Sequence, residues 1–183
     1  DPLCPLQKKF LRLVMKLHIG GKEAKNGWKI LNIQKTENVD YVGDITNLSQ
    51  FETESIDEIY ASHVLEHVGR FKVSSTLEGI YRILKKKGKF YVSVPDMDIL
   101  SHAFVSPLAS AENKFRIMRM MFGGQVDQYD FHYFGWNYEF LRDFLKKAGF
   151  TDLKKVDTFG LFNDTSDYKL YGFPVSLNLV ATK

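Results

Sequence analysis

Two glycines, Gly20 and Gly21, follow directly on the apolar run at residues 16–19. Without Cβ atoms they let the chain turn sharply and let a ligand approach the main chain closely. Two more apolar runs end in polar groups, residues 28–33 at Gln34 and residues 39–42 at Gly43 and Asp44. If these runs are parallel strands, their carboxyl ends form one rim of a sheet, which is where open α/β folds bind ligands. The glycines, Gln34 and Asp44 then converge on that rim as a cradle for a nucleotide-type cofactor.

Two other groupings carry chemistry. His63, Glu66 and His67 spell H-x-x-E-H, which on one helix face puts two imidazoles on a zinc ion while the glutamate activates water. Here the spelling begins directly after a predicted strand, and zinc proteases of this kind need a further acidic ligand from a distant helix. No metal is expected. Residues 125–136 interleave aromatic rings with Asp130 and His132; such a loop can shape a pocket and hold a base near its working pKa. His132, with Asp130 beside it, is the candidate general base for a hydroxyl nucleophile. Each of these residues also has a structural reading: a tight turn for the glycines, a turn cap for Asp44, a helix cap for His63, and pinning of a surface loop for the aromatics.

The elements that must position these groups are legible in outline. A fourth strand is expected at residues 56–62, a helical stretch at 63–68 broken near Gly69, and a helix at 73–84. In that helix Val73, Leu77, Ile80, Tyr81 and Leu84 form one apolar stripe. A lysine-rich turn with Gly88 leads to a strand at 89–94 that Pro95 stops. Helices are predicted at 97–104, 112–122 and 138–148, the last capped by Asn137 and ended by Gly149. Strands at 153–159 and 175–182 close the chain as an antiparallel pair. Strands with intervening helices give a three-layer α/β domain.

Composition bounds the rest. A chain of 183 residues, 44% hydrophobic and 26% charged, is long enough for one domain with its own core. A net charge of +3 gives no strong field for collecting nucleic acid, and no apolar run approaches the roughly 20 residues of a membrane helix. The single cysteine, Cys4, excludes an internal disulfide framework and fits a reducing cytoplasm. The chain starts at Asp1, and Met15 stands just before the first strand; residues 1–14 are expected to be either a vector-derived or appended segment or a native amphipathic lead-in using Phe10, Leu11 and Val14, and residues 15–183 the single domain.

The segments LHIGGKEAKNGWKILNI, VDYVGDITNL, SIDEIYASHVLEHV, YRILKKKGKFYVSVPD and FLKKAGF, in this order and spacing, resemble the small class I S-adenosylmethionine-dependent methyltransferases of the type 11-like group. The resemblance implies a Rossmann-like methyltransferase fold, a mostly parallel seven-stranded sheet with a C-terminal antiparallel hairpin. It implies S-adenosylmethionine as cofactor, S-adenosylhomocysteine as product, and a small-molecule or carbohydrate-like acceptor. By the same resemblance Gly20 and Gly21, with His18 leading in, lie under the amino-acid part of the cofactor. Asp44 and Ile45 flank adenine, His63 faces the cofactor, and Gln34 stands where a carboxylate bonds the ribose. A third glycine of the loop is replaced by Lys22 or Glu23, so the second reading is a non-catalytic binding or regulatory domain with a degraded cofactor site. A dinucleotide-dependent oxidoreductase is disfavoured because G-x-G-x-x-G is absent. The lack of an N-P-P-Y type motif after the fourth strand argues against DNA bases as acceptors.

Overall fold

Alternation along the early strands sorts side chains onto two faces of one sheet. In the computed structural model, which describes residues 14–183, Leu17 and Ile19 of β1 (Lys16–Ile19) join the main core. His18 between them lies against Tyr60 and Phe162 on the other face. The expectation for residues 1–14 falls almost wholly outside the described residues.

The strands β2 (Trp28–Asn32), β3 (Tyr41–Val42), β4 (Ile56–Ser62), β5 (Leu84–Pro95), β6 (Thr151–Lys155) and β9 (Ser176–Thr182) complete a seven-stranded sheet of order β3-β2-β1-β4-β5-β9-β6. The first five are parallel. The strand β9 runs antiparallel to both β5 and β6. This is the Rossmann-like methyltransferase arrangement expected from the sequence. A separate two-stranded hairpin, β7 (Lys169–Leu170) with β8 (Phe173–Pro174), forms within the connection between the last two sheet strands.

Four helices follow the predicted stripes: α1 (Val73–Ile83), α2 (Met97–Val105), α3 (Ala111–Phe122) and α4 (Tyr138–Lys147). Val73, Leu77 and Ile80 of α1, and Leu141 and Leu145 of α4, pack with Ile59, Ala61, Phe90 and Val92 in the main core. The Asn137 side chain accepts from the Phe140 N–H, as its cap position demands. On the opposite face no helix among the described residues packs over β1 and β2. The connection after β6 lies there instead, with Phe159 and Phe162 against Tyr60, Tyr91, His18 and Trp28. Lys25 of the glycine-bearing loop donates to the Leu161 carbonyl and ties that loop to the connection.

Four expectations are corrected. The second strand stops at Asn32 rather than beyond it, because the Asn32 carboxamide oxygen accepts from the Gln34 N–H at 2.9 Å and turns the chain out of the sheet. Residues 63–68 are not a helix: His63 has φ 53° and only Leu65–His67 forms a single 3₁₀ turn. The lysine-rich turn is part of β5, with a register shift and Lys87 at φ 64°. The first closing strand lies at Thr151–Lys155 rather than 153–159, and it pairs antiparallel with β9 at the edge of the sheet as expected.

Candidate functional site

At the carboxyl ends of β1, β2 and β4 the sheet opens into a cavity of about 780 Å³. Its floor and walls are Ile19 and Gly20 after β1, Asn32 and Gln34 after β2, Asp44 and Ile45 after β3, and His63, Val64 and His67 after β4. The late loop supplies Asp127, Tyr129, Asp130 and Tyr133. Gly20, Gln34, Asp44, Ile45, His63 and Asp130 thus meet around one space. His18, Gly21 and His132 do not line it.

Gly20 fits its position for two reasons. Its φ is +79°, and a Cβ there would stand 2.6 Å from Val64 Cγ2; the missing atom keeps the cradle open. Gly21 serves differently, because a Cβ there would press onto the His18 ring at 2.6 Å. Its carbonyl accepts from Asn32 Nδ2 at 2.9 Å, which fastens the glycine turn to the end of β2. Asn32 is therefore the residue at the strand's carboxyl end, a position at which the sequence reading placed Gln34. The signal for it was an asparagine two residues before the turn, legible only once the Asx turn is known. Gln34 lies farther along the wall, and its Nε2 donates to Asp127 Oδ2 at 3.4 Å, joining the rim to the late loop. Nothing in the linear sequence pairs those two residues.

Asp44 is exposed, and its Oδ1 accepts from the Thr46 N–H at 2.8 Å. Ile45 beside it is buried, so this stretch offers one carboxylate and one apolar surface to the cavity. His63 stands in the left-handed region with its N–H on the Ser93 carbonyl at 2.9 Å. Strain of that kind in a non-glycine residue gathers at functional sites. His63 Nε2 lies 2.9 Å from Ser176 Oγ, which itself donates to the Thr165 carbonyl, and Nδ1 lies 3.1 Å from Glu66 Oε1.

Asp130 closes its own loop: its carbonyl accepts from the Gln125 N–H at 3.0 Å and its Oδ2 from the Val126 N–H at 3.4 Å. His132 sits behind His67, ring centroids 4.8 Å apart and nearly perpendicular. Burial lowers the His132 pKa, a trend that the Glu66 carboxylate opposes and His67 reinforces. For Glu66, burial raises the pKa while His63, His67 and His132 lower it, leaving the carboxyl below its ordinary range.

His18 belongs to the other face. It is 8% exposed, and burial takes its pKa down to about 4 against partial opposition from Asp164. An unfolded histidine titrates at about 6.5, so between these values the unfolded chain binds a proton that the folded chain refuses. Stability from this group is complete above about pH 6.5 and falls as pH drops towards 4. Denaturant unfolding at about pH 7 and about pH 4.5 is expected to show a loss of about 2–3 kcal/mol from His18. His18→Asn should remove that part of the slope; an unchanged slope would mean that the imidazole is protonated where it sits.

The family model for the methyltransferase domain matches residues 4–92. Among proteins of curated function nothing matches the sequence significantly. Among solved structures, a SAM-dependent methyltransferase from Archaeoglobus fulgidus superposes with a TM-score of 0.58 at 16% identity, over 97% of this chain and 90% of that one. A possible histamine N-methyltransferase from Thermotoga maritima superposes at 0.55 with 22% identity, over 97% and 86%. The 1,6-didemethyltoxoflavin-N1-methyltransferase of Burkholderia thailandensis, with bound 1,6-didemethyltoxoflavin and S-adenosylhomocysteine, gives a TM-score of 0.57 at 14% identity, over 92% of this chain and 70% of that one. At these identities the likeness is one of fold.

Proposed function

We propose that the cavity binds S-adenosylmethionine and that the chain transfers its methyl group to a small-molecule or carbohydrate-like acceptor, a reading supported by the methyltransferase-type fold and by the family match over residues 4–92. The observation that carries this reading is the convergence of Gly20, Asn32, Gln34, Asp44, Ile45 and His63 on one cavity. The residues fit the cofactor: a cradle that a Cβ at Gly20 would fill, two carboxamides at the end of β2, then a carboxylate beside an apolar side chain. Gly20 would receive the amino-acid part, Asn32 and Gln34 the ribose hydroxyls, and Asp44 with Ile45 the adenine.

When bound, the cofactor supplies a methyl group already activated by the sulfonium charge. The chain then has to orient the acceptor in line and take its proton. Asp130 borders the cavity and is the carboxylate placed to do so; His132 lies one ring farther back and would act only through His67. Exposed rings at the mouth, Phe71 at 88% and Tyr133 at 61% exposure, offer flat apolar surface for an aromatic or sugar-like acceptor. Among the described residues no helix is long and apolar enough to cross a membrane, and a cytoplasmic setting suits the lone thiol of Cys4.

One observation favours the second reading, a binding domain without turnover. Asn32 offers a neutral carboxamide where a charged acceptor would make a stronger bond, and it is already engaged by Gly21 and Gln34. Calorimetric titration with S-adenosylmethionine and S-adenosylhomocysteine separates the two. Micromolar binding is expected, weakened at least ~10-fold by Asp44→Ala through loss of a charge-assisted hydrogen bond. Asn32→Asp should tighten it by about tenfold. No heat with either ligand, in the wild type and in Asn32→Asp alike, would sink the cofactor site and leave the second reading.

A further inference from the structure

The late loop brings His132 onto Glu66 and His67, two residues of the H-x-x-E-H spelling, and leaves His63 to one side. One donor atom from each of Glu66, His67 and His132 lies within 4.8 Å of the other two. We propose that these three residues form a binding site for a first-row divalent transition ion, a set of two imidazoles and one carboxylate with coordination positions left open.

Three observations carry it. First, Glu66 is 1% exposed and its Oε1 lies 3.1 Å from His63 Nδ1, yet neither carboxylate oxygen accepts a hydrogen bond of good geometry. A buried carboxylate with one imidazole nitrogen beside it and no well-made hydrogen bond is costly unless a further cation compensates it. Second, each imidazole is already oriented from behind. His67 Nδ1 donates to the Phe131 carbonyl at 3.0 Å, which leaves Nε2 with its lone pair. The His132 ring is hydrogen-bonded to the Met121 backbone while its buried Nδ1 has no hydrogen-bond partner. A carbonyl behind a ring nitrogen is the usual way of fixing the tautomer of a metal-binding histidine. Third, the backbone pins the parts together: the Tyr133 N–H donates to the Glu66 carbonyl at 2.8 Å and the His132 N–H to the Phe122 carbonyl at 3.1 Å.

Ligand atoms about 2.1 Å from a tetrahedral ion stand about 3.4 Å apart, so rotation of the three side chains by a fraction of their length closes the set. Two histidines with a carboxylate select zinc, iron or cobalt over calcium or magnesium. His67 borders the cavity; an ion there would hold an acceptor oxygen as a Lewis acid. The expectation of no metal considered His63, Glu66 and His67 on a helix that does not form.

The site does not depend on methyl transfer, and its test needs no cofactor. The whole chain, freed of metal with a chelator, is titrated with cobalt(II) chloride and followed by visible absorption and calorimetry. One equivalent, a visible ligand-field band and a dissociation constant in the micromolar range or below are expected. His132→Ala and Glu66→Gln should each weaken binding ~100-fold, while His102→Ala, on the exposed face of α2, should not change it. No band at millimolar cobalt in the wild type overturns the proposal whether or not the variants fold. A band that survives His132→Ala at wild-type affinity places the ion elsewhere and overturns it as well.

Discussion

Gly20→Val is expected to abolish S-adenosylmethionine binding in calorimetry while leaving a folded protein by circular dichroism. Gly20 has φ +79°, where a β-branched residue is a genuine outlier, and the first atom added would meet Val64 Cγ2 at 2.6 Å. Val64 lines the cavity, so the collision falls on the space the ligand needs. Strain alone would destabilise without choosing the site. Gly27 provides the comparison: its φ is +80° and a Cβ there meets nothing within 4 Å. Gly27→Val should cost stability of the same order, about 1–2 kcal/mol, with binding retained. Equal loss of binding in both variants would show that Gly20 acts through chain strain and not through the cradle.

Trp136→Ala should carry the largest stability loss, about 3–5 kcal/mol, by the cost of emptying a buried aromatic site. Trp136 is 0% exposed, with Phe134 at 4.3 Å and Phe144 at 5.6 Å between ring centroids. Its carbonyl accepts from the Met97 N–H at 2.8 Å at the start of α2. Trp136 therefore clamps the end of the late loop, its ring on α4 and its carbonyl on the helix that follows β5. Because that loop carries Asp127 and Asp130 to the cavity, weaker cofactor binding should accompany the loss of stability. Tyr133→Ala, in the same loop but at an exposed ring, should stay within about 1 kcal/mol of wild type. A denaturant midpoint for Trp136→Ala close to wild type would mean that the loop is held by its backbone bonds alone.

Local rules read most of this molecule correctly. The glycine turn after β1, the apolar stripe of α1 from Val73 to Tyr81 and the Asn137 cap each depend on a few consecutive residues and stand where the sequence put them, while Leu84, expected to end that stripe, opens β5. The misreadings all involve a distant or bifunctional group. Asn32 is both the end of a strand and the acceptor of an Asx turn, so the apolar run through Ile33 overstated the strand. The H-x-x-E-H spacing argues for one face only on a helix, and His63 at φ 53° takes the chain out of that geometry. His132 reaches Glu66 through a loop whose path no periodicity reports. His18 was read as part of the cradle because it precedes the glycines, but strand alternation turns it to the opposite face.

The position of β9 has a consequence for how the chain reaches this structure. Until β9 pairs from Ser176 to Thr182, β5 presents a long open edge bearing Phe90, Val92 and Val94, an invitation to pair with another molecule. Closing it joins residues far apart in sequence, which makes the step slow relative to the local helices. The species most prone to aggregate is therefore the one with its parallel half formed and its last strand still outside. Material lost on refolding should depend steeply on protein concentration, and conditions that hasten the docking of β9 should recover it.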